Sequence, residues 1–336
     1  MRYRTFGATD LEVSEICYGT MRYASKDGKR DERAADATRA LQEAVDAGIN
    51  FFHSSHEYGT RWLTGEVLGA HPKRHELHHI IKVNVPDWGD QKFDASTFRG
   101  NIEDALRELK VERIAVVQHL HRGTLPRELG YCAEGEPKRL SEFDEVTNDL
   151  LEEFEKLREA GKVGYLTTFP YTTGYAQRAI ESGSFSGVVA YFNALETEMA
   201  EFFAEMERAG MGFIGIRPFA AGLLTDPRID RENLPEDDRM RDPQWDRLYD
   251  QLTELKNALG DEQASWTRFA IQFSLIHPVI TSTVVGINTP AQLQSVIEAV
   301  EGHPLNQDVL SRAHQVCRQF REQFGVKGSP AGVPVY

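Results

Sequence analysis

Residues 187–192, with the sequence GVVAYF, form an apolar run without a charged side chain. A strand that is buried on both faces has this character, and such strands are typical of parallel sheets covered by helices. Most of seven further runs are similarly apolar: 13–19, 49–55, 78–84, 114–121, 163–169, 212–219 and 281–287. The sequence therefore predicts eight buried strands.

Amphipathic helices separate these strands. Residues 142–160 carry apolar side chains at helical spacing, and Ser141 with Asp144 predicts a capping box at the start of that helix. A strand–helix unit repeated about eight times predicts a (β/α)8 barrel, the TIM-barrel fold. A doubly wound sheet is the alternative, but no G-x-G-x-x-G loop follows an early strand. An Ala-Gly pair, typical of a helix that ends on a left-handed glycine, precedes three of the strands, at 47–48, 160–161 and 209–210.

Three segments are additional to the eight strand–helix units of a minimal barrel. Residues 1–12 predict a short N-terminal hairpin, and residues 122–140 and 225–245 predict long loops after strands four and seven. Both loops follow the carboxyl ends of strands, where the active-site loops of a barrel lie. We expect residues 1–325 to form a single barrel domain and residues 326–336 to form a flexible tail.

Composition excludes several classes of function. The 336 residues include 52 acidic and 38 basic side chains, so the formal charge is −14. An acidic chain is unsuited to nucleic acid or to an anionic membrane surface. No apolar run approaches the roughly 20 residues of a membrane-spanning helix. Three widely spaced cysteines favour a reducing cytoplasm, and we expect a small molecule as the partner; the sequence predicts no particular oligomeric state.

Several motifs occur in an order that resembles the aldo-keto reductases. They are YRTFG at 3–7, GTM at 19–21, AGINFF at 47–52, EYG at 57–59, RPFAAGLLT at 217–225 and TPAQL at 289–293. The resemblance covers nearly the whole chain. It implies a barrel that reduces carbonyl groups with a nicotinamide cofactor, either NADP or NAD, bound without a Rossmann domain.

The resemblance also implies catalytic residues. The family uses a Tyr, a Lys, an Asp and a His; the Tyr donates a proton to the carbonyl oxygen while the Lys lowers its pKa. Tyr58 matches the Tyr and Lys82 matches the Lys. For the His, one extra residue in strand four selects His121, whereas an ungapped match places Leu120 there. We assign His121, because it is at the carboxyl end of the strand.

The Asp is replaced by His53, and Glu57 is the one carboxylate close to it in sequence. A neutral imidazole stabilises a Lys cation weakly, and a protonated one repels it. His53 is therefore a candidate acid–base group in its own right. His53, His56, His119 and His121 could converge at the barrel mouth, but zinc-binding spacings are absent and we expect no metal site.

The cofactor positions are partly changed. Phe169-Pro170, Val189, Ile216, Gln292 and Val296 stand where the family has polar, aromatic or basic contacts. Other positions keep a binding character: the resemblance implies Thr20 and Met21, and a helix start after the last strand offers Gly286, Asn288, Thr289 and Gln292 to a phosphate. Thr289 is the predicted N-cap of this helix and Gln292 completes a capping box, and this cap could serve the helix alone. Arg217 could meet a phosphate, or it could pair with an acidic side chain.

Three functions follow as hypotheses. The first is an NAD(P)-dependent oxidoreductase acting on a small polar carbonyl or hydroxyl compound, with Tyr58 assisted by Lys82 and His121. The second is a non-redox lyase, dehydratase or isomerase that uses the same residues and His53 for proton transfer. The third is a non-catalytic binding or regulatory protein, since fold alone does not fix function.

Overall fold

A closed barrel of eight parallel strands forms the centre of the computed structural model, which describes residues 1–130, 133–260 and 265–324. The strands pair in the order β10-β3-β4-β5-β6-β7-β8-β9. The prediction of a (β/α)8 barrel with an N-terminal hairpin is confirmed. In chain order the strands are β1 Tyr3–Thr5, β2 Glu12–Ser14, β3 Ile16–Gly19, β4 Phe51–Ser55, β5 His78–Val83, β6 Ile114–His119, β7 Val163–Thr168, β8 Gly187–Tyr191, β9 Gly212–Ile216 and β10 Ile280–Gly286.

The antiparallel hairpin β1–β2 covers the amino-terminal end of the barrel. Its apolar side chains join the lower interior layer, formed by Phe6, Leu11, Val13, Cys17, Phe51, Ile80, Val116, Val189 and Ile214. Gly7, with φ of 52°, allows a close approach, because a Cβ there would lie 2.5 Å from the carbonyl oxygen of Gly210. This end of the barrel is therefore sealed, and the opposite end is left for a site.

Helices surround the barrel. They are α1 Glu32–Asp46, α2 Arg61–Gly69, α3 Ala95–Leu109, α4 Glu136–Glu159, α5 Thr173–Ser182, α6 Phe203–Arg208, α7 Asp246–Leu259, α8 Trp266–Ser274, α9 Pro290–Glu301 and α10 Gln307–Phe324. The predicted left-handed glycines are present, with φ of 89° at Gly48, 74° at Gly161 and 68° at Gly210.

The start of α4 differs from the prediction. The helix begins at Glu136, and Pro137 occupies its first turn, where a missing N–H costs nothing. Ser141 therefore lies inside the helix, and its hydroxyl donates to the carbonyl oxygen of Lys138. The predicted capping box of Ser141 with Asp144 is wrong, and the connection after β6 is shorter than expected.

The connection after β9 is long, as predicted. It runs from 217 to 245 and contains 3₁₀ turns at Ala220–Gly222, Arg231–Asn233, Arg239–Arg241 and Pro243–Trp245. The fully buried Trp245 anchors its end. The expected tail at 326–336 lies outside the described residues, and the single domain over 1–325 stays a prediction.

Candidate active site

Three neighbouring strands place polar side chains inside the barrel, in the half nearer the carboxyl ends of the strands. Side chains alternate along a strand, so the interior positions above Phe51, Ile80 and Val116 are two residues further on. They are His53 on β4, Lys82 on β5 and Gln118 on β6. Lys82 pairs in register with Gln118 on one side and with Ser55 on the other.

Tyr58 joins this group from the turn after β4. The 3₁₀ turn His56–Tyr58 ends at Gly59, whose φ of 63° lets the chain reverse into α2. The ammonium nitrogen of Lys82 lies 5.1 Å from the centroid of the Tyr58 ring, and the His53 ring centroid lies 6.1 Å from it. The structure thus brings together three of the four predicted catalytic residues.

Glu57, next to Tyr58, supplies a carboxylate to Lys82. Its Oε2 lies 3.3 Å from Lys82 Nζ. Arg122 holds the same carboxylate with two nitrogens, at 2.8 Å and 3.1 Å, and also contacts Asp87 at 2.8 Å. Its Nε donates to the Tyr171 hydroxyl at 3.1 Å. Two cations therefore face two carboxylates at this mouth of the barrel.

These contacts set the protonation states. Burial opposes the charge on Lys82, but the neighbouring Tyr58 and Glu57 raise its pKa above the usual value, so Lys82 is a cation. Burial also opposes the charge on Glu57. The hydrogen bonds from Arg122 and the charge of Lys82 nevertheless lower the Glu57 pKa to about 2. The pair is ionic at neutral pH.

His53 is neutral at the same pH. Burial lowers its pKa to about 4, against the opposing effect of its hydrogen bond with Gln118, and the charge of Lys82 lowers it further. The Nε2–Oε1 distance of that hydrogen bond is 2.9 Å. The side chain that replaces the family's Asp thus carries no charge that could stabilise Lys82.

The structure does not place His121 with Tyr58 and Lys82. On β6 the interior parity of Val116 and Gln118 continues to Leu120, so His121 faces the outside of the barrel. Its Nε2 lies 3.4 Å from Glu142 on α4, and its ring contacts Tyr175 on α5. Leu120, the ungapped alternative, occupies the interior position.

His119 is also remote from the interior. Its Nε2 bonds the carbonyl oxygen of Val85 at 2.7 Å, and burial lowers its pKa to about 3.

An apolar cluster occupies the mouth beside the charged group. Its buried members are Leu120, Phe169, Tyr171 and Tyr191, against which Trp88 and Ile216 pack. It therefore includes two positions, 169 and 216, at which the family's cofactor contacts are replaced.

A cleft of about 640 Å³ opens on the other side of Tyr58. Its lining includes three predicted cofactor residues, Met21, Asn288 and Thr289. Thr20 lies beneath it, fully buried, and its hydroxyl donates to the carbonyl oxygen of His53 at 3.0 Å. The cleft therefore connects Tyr58 with the start of α9.

The cap of α9 forms as predicted, with Thr289 as N-cap. The Thr289 hydroxyl accepts from the Gln292 N–H at 3.3 Å. Gln292 Oε1 in turn accepts from the Asn288 N–H at 2.8 Å. Gly286, at the end of β10, pairs in register with Gly19. Gln292 is thus engaged in the cap and carries no charge.

Arg217 pairs with an acidic side chain. Its Nε lies 3.4 Å from Oε2 of the fully buried Glu196, and its guanidinium stacks on Tyr191 at 4.9 Å. Its Nη2 is buried and has no hydrogen-bond partner among the described residues. The φ of 63° at Arg217 is unusual for a side chain with a Cβ.

No group of three or more His, Cys, Asp or Glu side chains among the described residues is arranged to hold a metal ion. No described helix combines the length and apolar character needed to cross a membrane.

Sequence reasoning gave Arg122 and Gln118 no role. Arg122 follows His121 at the end of β6, so its position after a strand was the available signal. Its pairing with Glu57 depends on a turn 65 residues earlier in the chain.

The fold and the Tyr–Lys pair define a parallel-barrel enzyme with its site at the carboxyl ends of the strands. The family model described as Aldo/keto reductase family matches residues 15–317. The chain belongs to the aldo/keto reductase family and is an enzyme of the oxidoreductase type. This finding favours the first of the three functional hypotheses over the non-redox and non-catalytic alternatives.

Relatives span nearly the whole chain. A Bacillus subtilis (strain 168) protein named uncharacterized oxidoreductase YrpG is 27% identical over 332 residues, covering 90% of this chain and 91% of that protein. L-galactose dehydrogenase of Arabidopsis thaliana is 23% identical over 334 residues, covering 95% of each. The holo form of aldo-keto reductase AKR11C1 from Bacillus halodurans shares the fold, with a TM-score of 0.71, 21% identity and coverage of 94% and 96%.

Proposed function

We propose that this enzyme reduces the carbonyl group of a small polar molecule with NADPH or NADH, and that Tyr58 donates the proton. The observation that carries the proposal is the position of the Lys82 ammonium, 5.1 Å from the Tyr58 ring inside the barrel mouth. A cation so placed favours the phenolate left behind when Tyr58 gives up its proton.

The residues around Tyr58 fit a nicotinamide dinucleotide, the cofactor that the family generally uses. The cleft of about 640 Å³ has a volume typical of ligand sites. Asn288 and Thr289 would hold the phosphate end at the start of α9. The buried Nη2 of Arg217 is a donor in need of an acceptor. When bound, the cofactor supplies a hydride.

The chain itself handles the proton. The Tyr58 hydroxyl donates to the oxygen of the substrate carbonyl, while Lys82 remains protonated and stabilises the negative charge on the phenol oxygen. Tyr58 is only 8% exposed, so the proton is transferred with little competing water. His53 stays neutral and keeps its hydrogen bond to Gln118.

The relatives suggest the substrates to test. The names L-galactose dehydrogenase and 6-dehydroglucose reductase belong to proteins that are 23% identical over 334 residues and 33% identical over 132 residues. We extend the proposal to hydroxylated carbonyl compounds of the sugar type. The aromatic faces of Trp88 and Tyr171 beside Arg122 offer contacts for both the C–H and the hydroxyl groups of such a molecule.

The test combines binding and turnover. Titration with NADPH and NADH, followed by protein fluorescence, should give a saturable change at micromolar concentration. Oxidation of the cofactor should then depend on an added sugar-type aldehyde, and Tyr58→Phe should reduce this rate by at least roughly 10²-fold with binding retained. The absence of binding at millimolar concentration would refute the proposal, and a Phe variant with near-normal turnover would assign the proton to another group.

A further inference from the structure

The family's carboxylate at position 53 is lost, yet Lys82 is not without a carboxylate. Glu57 approaches it from the turn after β4, four residues beyond His53, at 3.3 Å. Since the Lys82 side chain is only 13% exposed, an unpaired ammonium there would be costly. A carboxylate at position 57 meets the same need from a different place in the chain.

Arg122 fixes the direction of that carboxylate. Two parallel N–H···O contacts, at 2.8 Å and 3.1 Å, define the plane of the Glu57 carboxylate. Arg122 itself is held by Asp87 and by the Tyr171 hydroxyl, and it stacks on Trp88 at 5.5 Å. Arg122 thereby sets the direction of a side chain that lies on a short turn.

We propose that Glu57 is the counter-ion of Lys82 in this enzyme, replacing the carboxylate absent at position 53, and that Arg122 is a positioning residue that aims Glu57 at Lys82. The inference rests on the proposed function, in which Tyr58 donates the proton. It assigns roles to two residues outside the Tyr, Lys, Asp and His that the family resemblance supplied.

The charges around Lys82 fix the sign of the expected effects. The titratable and charged groups that face Lys82 are His53 on β4, Tyr58 and Glu57 on the following turn, Arg122 after β6 and Tyr171 after β7. A neighbouring anion opposes the loss of a proton by either Tyr58 or Lys82, and a neighbouring cation favours it. Removing Glu57 should therefore make the Tyr58–Lys82 pair lose its proton at lower pH. Removing Arg122 takes away a cation and also releases Glu57, two effects of opposite sign, so its positioning role is measured by how far Arg122→Met weakens the effect of Glu57→Gln.

The experiment follows the loss of a proton from the Tyr58–Lys82 pair by two measurements. The first is the alkaline limb of kcat/KM against pH. The second is the titration of the phenol absorbance in the absence of substrate, with the Tyr58→Phe spectrum subtracted. Glu57→Gln should move both toward lower pH by about one unit and reduce kcat by roughly tenfold. In the Arg122→Met background, Glu57→Gln should move both by less than half of that shift, because the carboxylate is no longer aimed at Lys82.

A matched control is Glu103→Gln. Glu103 on α3 pairs with Lys162, at the opposite end of the barrel from the mouth, at 2.6 Å. This variant loses a Glu–Lys pair of the same type, and we expect wild-type kcat and wild-type titration curves.

Rescue separates a charge effect from a structural one. The double variant Glu57→Gln, His53→Asp places a carboxylate at the family's position and should restore the alkaline limb and most of kcat. Unchanged titrations in Glu57→Gln would overturn the counter-ion role of Glu57. An equal shift by Glu57→Gln in the wild-type and Arg122→Met backgrounds would overturn the positioning role of Arg122. If no variant, including wild type, turns over carbonyl compounds, the proposed function fails, whereas the phenol titration still decides whether Glu57 acts on the pair.

Discussion

Acidification should destabilise this fold in a range where its carboxylates still keep their charge. His53, His79 and His119 are at most 5% exposed. Burial lowers their pKa values from 6.5 to about 4, about 4 and about 3. The unfolded chain therefore binds protons at a higher pH than the folded chain does. The stabilisation is complete above the unfolded pKa of 6.5 and is lost as the pH falls toward the folded values.

The size of this loss of stability follows from the difference between the unfolded and folded pKa values of one histidine. For His79, the interval from 6.5 to about 4 corresponds to a total of about 3 kcal/mol, at about 1.4 kcal/mol per unit. Roughly 2 kcal/mol of this is lost between about pH 7 and pH 5. Three such histidines make the expected loss several kcal/mol, a large share of the stability of an ordinary domain.

Urea unfolding at a series of pH values, followed by circular dichroism, measures this loss. His79→Phe is the informative variant, because His79 Nδ1 has no hydrogen-bond partner among the described residues and the ring packs on Phe52. The variant should lose about 2 kcal/mol less than wild type between about pH 7 and pH 5. His75→Gln is the control, because His75 is exposed. Equal losses in His79→Phe and wild type would refute the reasoning.

Three further predictions concern the site. The preference for NADPH over NADH, measured by fluorescence titration, should be below about tenfold, because Gln292 is engaged in the α9 cap and offers no cation to a 2′-phosphate. A preference of several hundredfold would indicate that Lys26 or Arg33 in the cleft binds this phosphate. His121→Gln should change kcat less than about threefold, because His121 faces α4; a loss of 10²-fold or more would return it to the chemistry. Arg217→Met should destabilise the fold by about 3 kcal/mol, because it leaves the buried Glu196 without its cation, and adding Glu196→Gln should recover most of this in urea unfolding.

The barrel could be predicted from the sequence because its strands have a simple physical signature. A strand covered by helices on one face and by the barrel interior on the other has no solvent-exposed side, so its apolar run is nearly continuous, as at 187–192. The left-handed glycines at 48, 161 and 210 mark helix ends by sterics alone. Both signals depend on neighbouring residues in the chain.

The start of α4 was missed because its first turn is polar. Glu136 begins the helix with Pro137 in its first turn, whereas the apolar periodicity becomes visible only near Val146. The Gly and Pro content of 122–140 favoured a loop, although a proline is well placed in a first helical turn.

The histidine assignment illustrates what strand parity can decide. Val116 lies in the lower interior layer, so Gln118 and Leu120 share its face and His121 does not. Position at the strand end suggested His121, but the two-residue period excludes it from the interior. Knowledge of one interior residue of β6 would have been enough to assign every other residue of that strand to the inside or the outside of the barrel.

The sequence identifies Glu57 as a carboxylate near position 53, but its contact with Lys82 could not be predicted because it depends on the path of a turn. The substitution at position 53 suggests that the charge balance of the site is lost, yet Lys82 and Arg122 face Glu57 and Asp87. A buried ammonium requires a nearby anion, but the requirement is on distance and not on sequence position. Motif comparison asks whether a carboxylate is present at a given position in the sequence. The stability of the Lys82 cation depends instead on whether a carboxylate lies close to it in the fold. In this barrel the carboxylate is absent from sequence position 53, but Glu57 places one 3.3 Å from Lys82, where it stabilises the protonated form of Lys82.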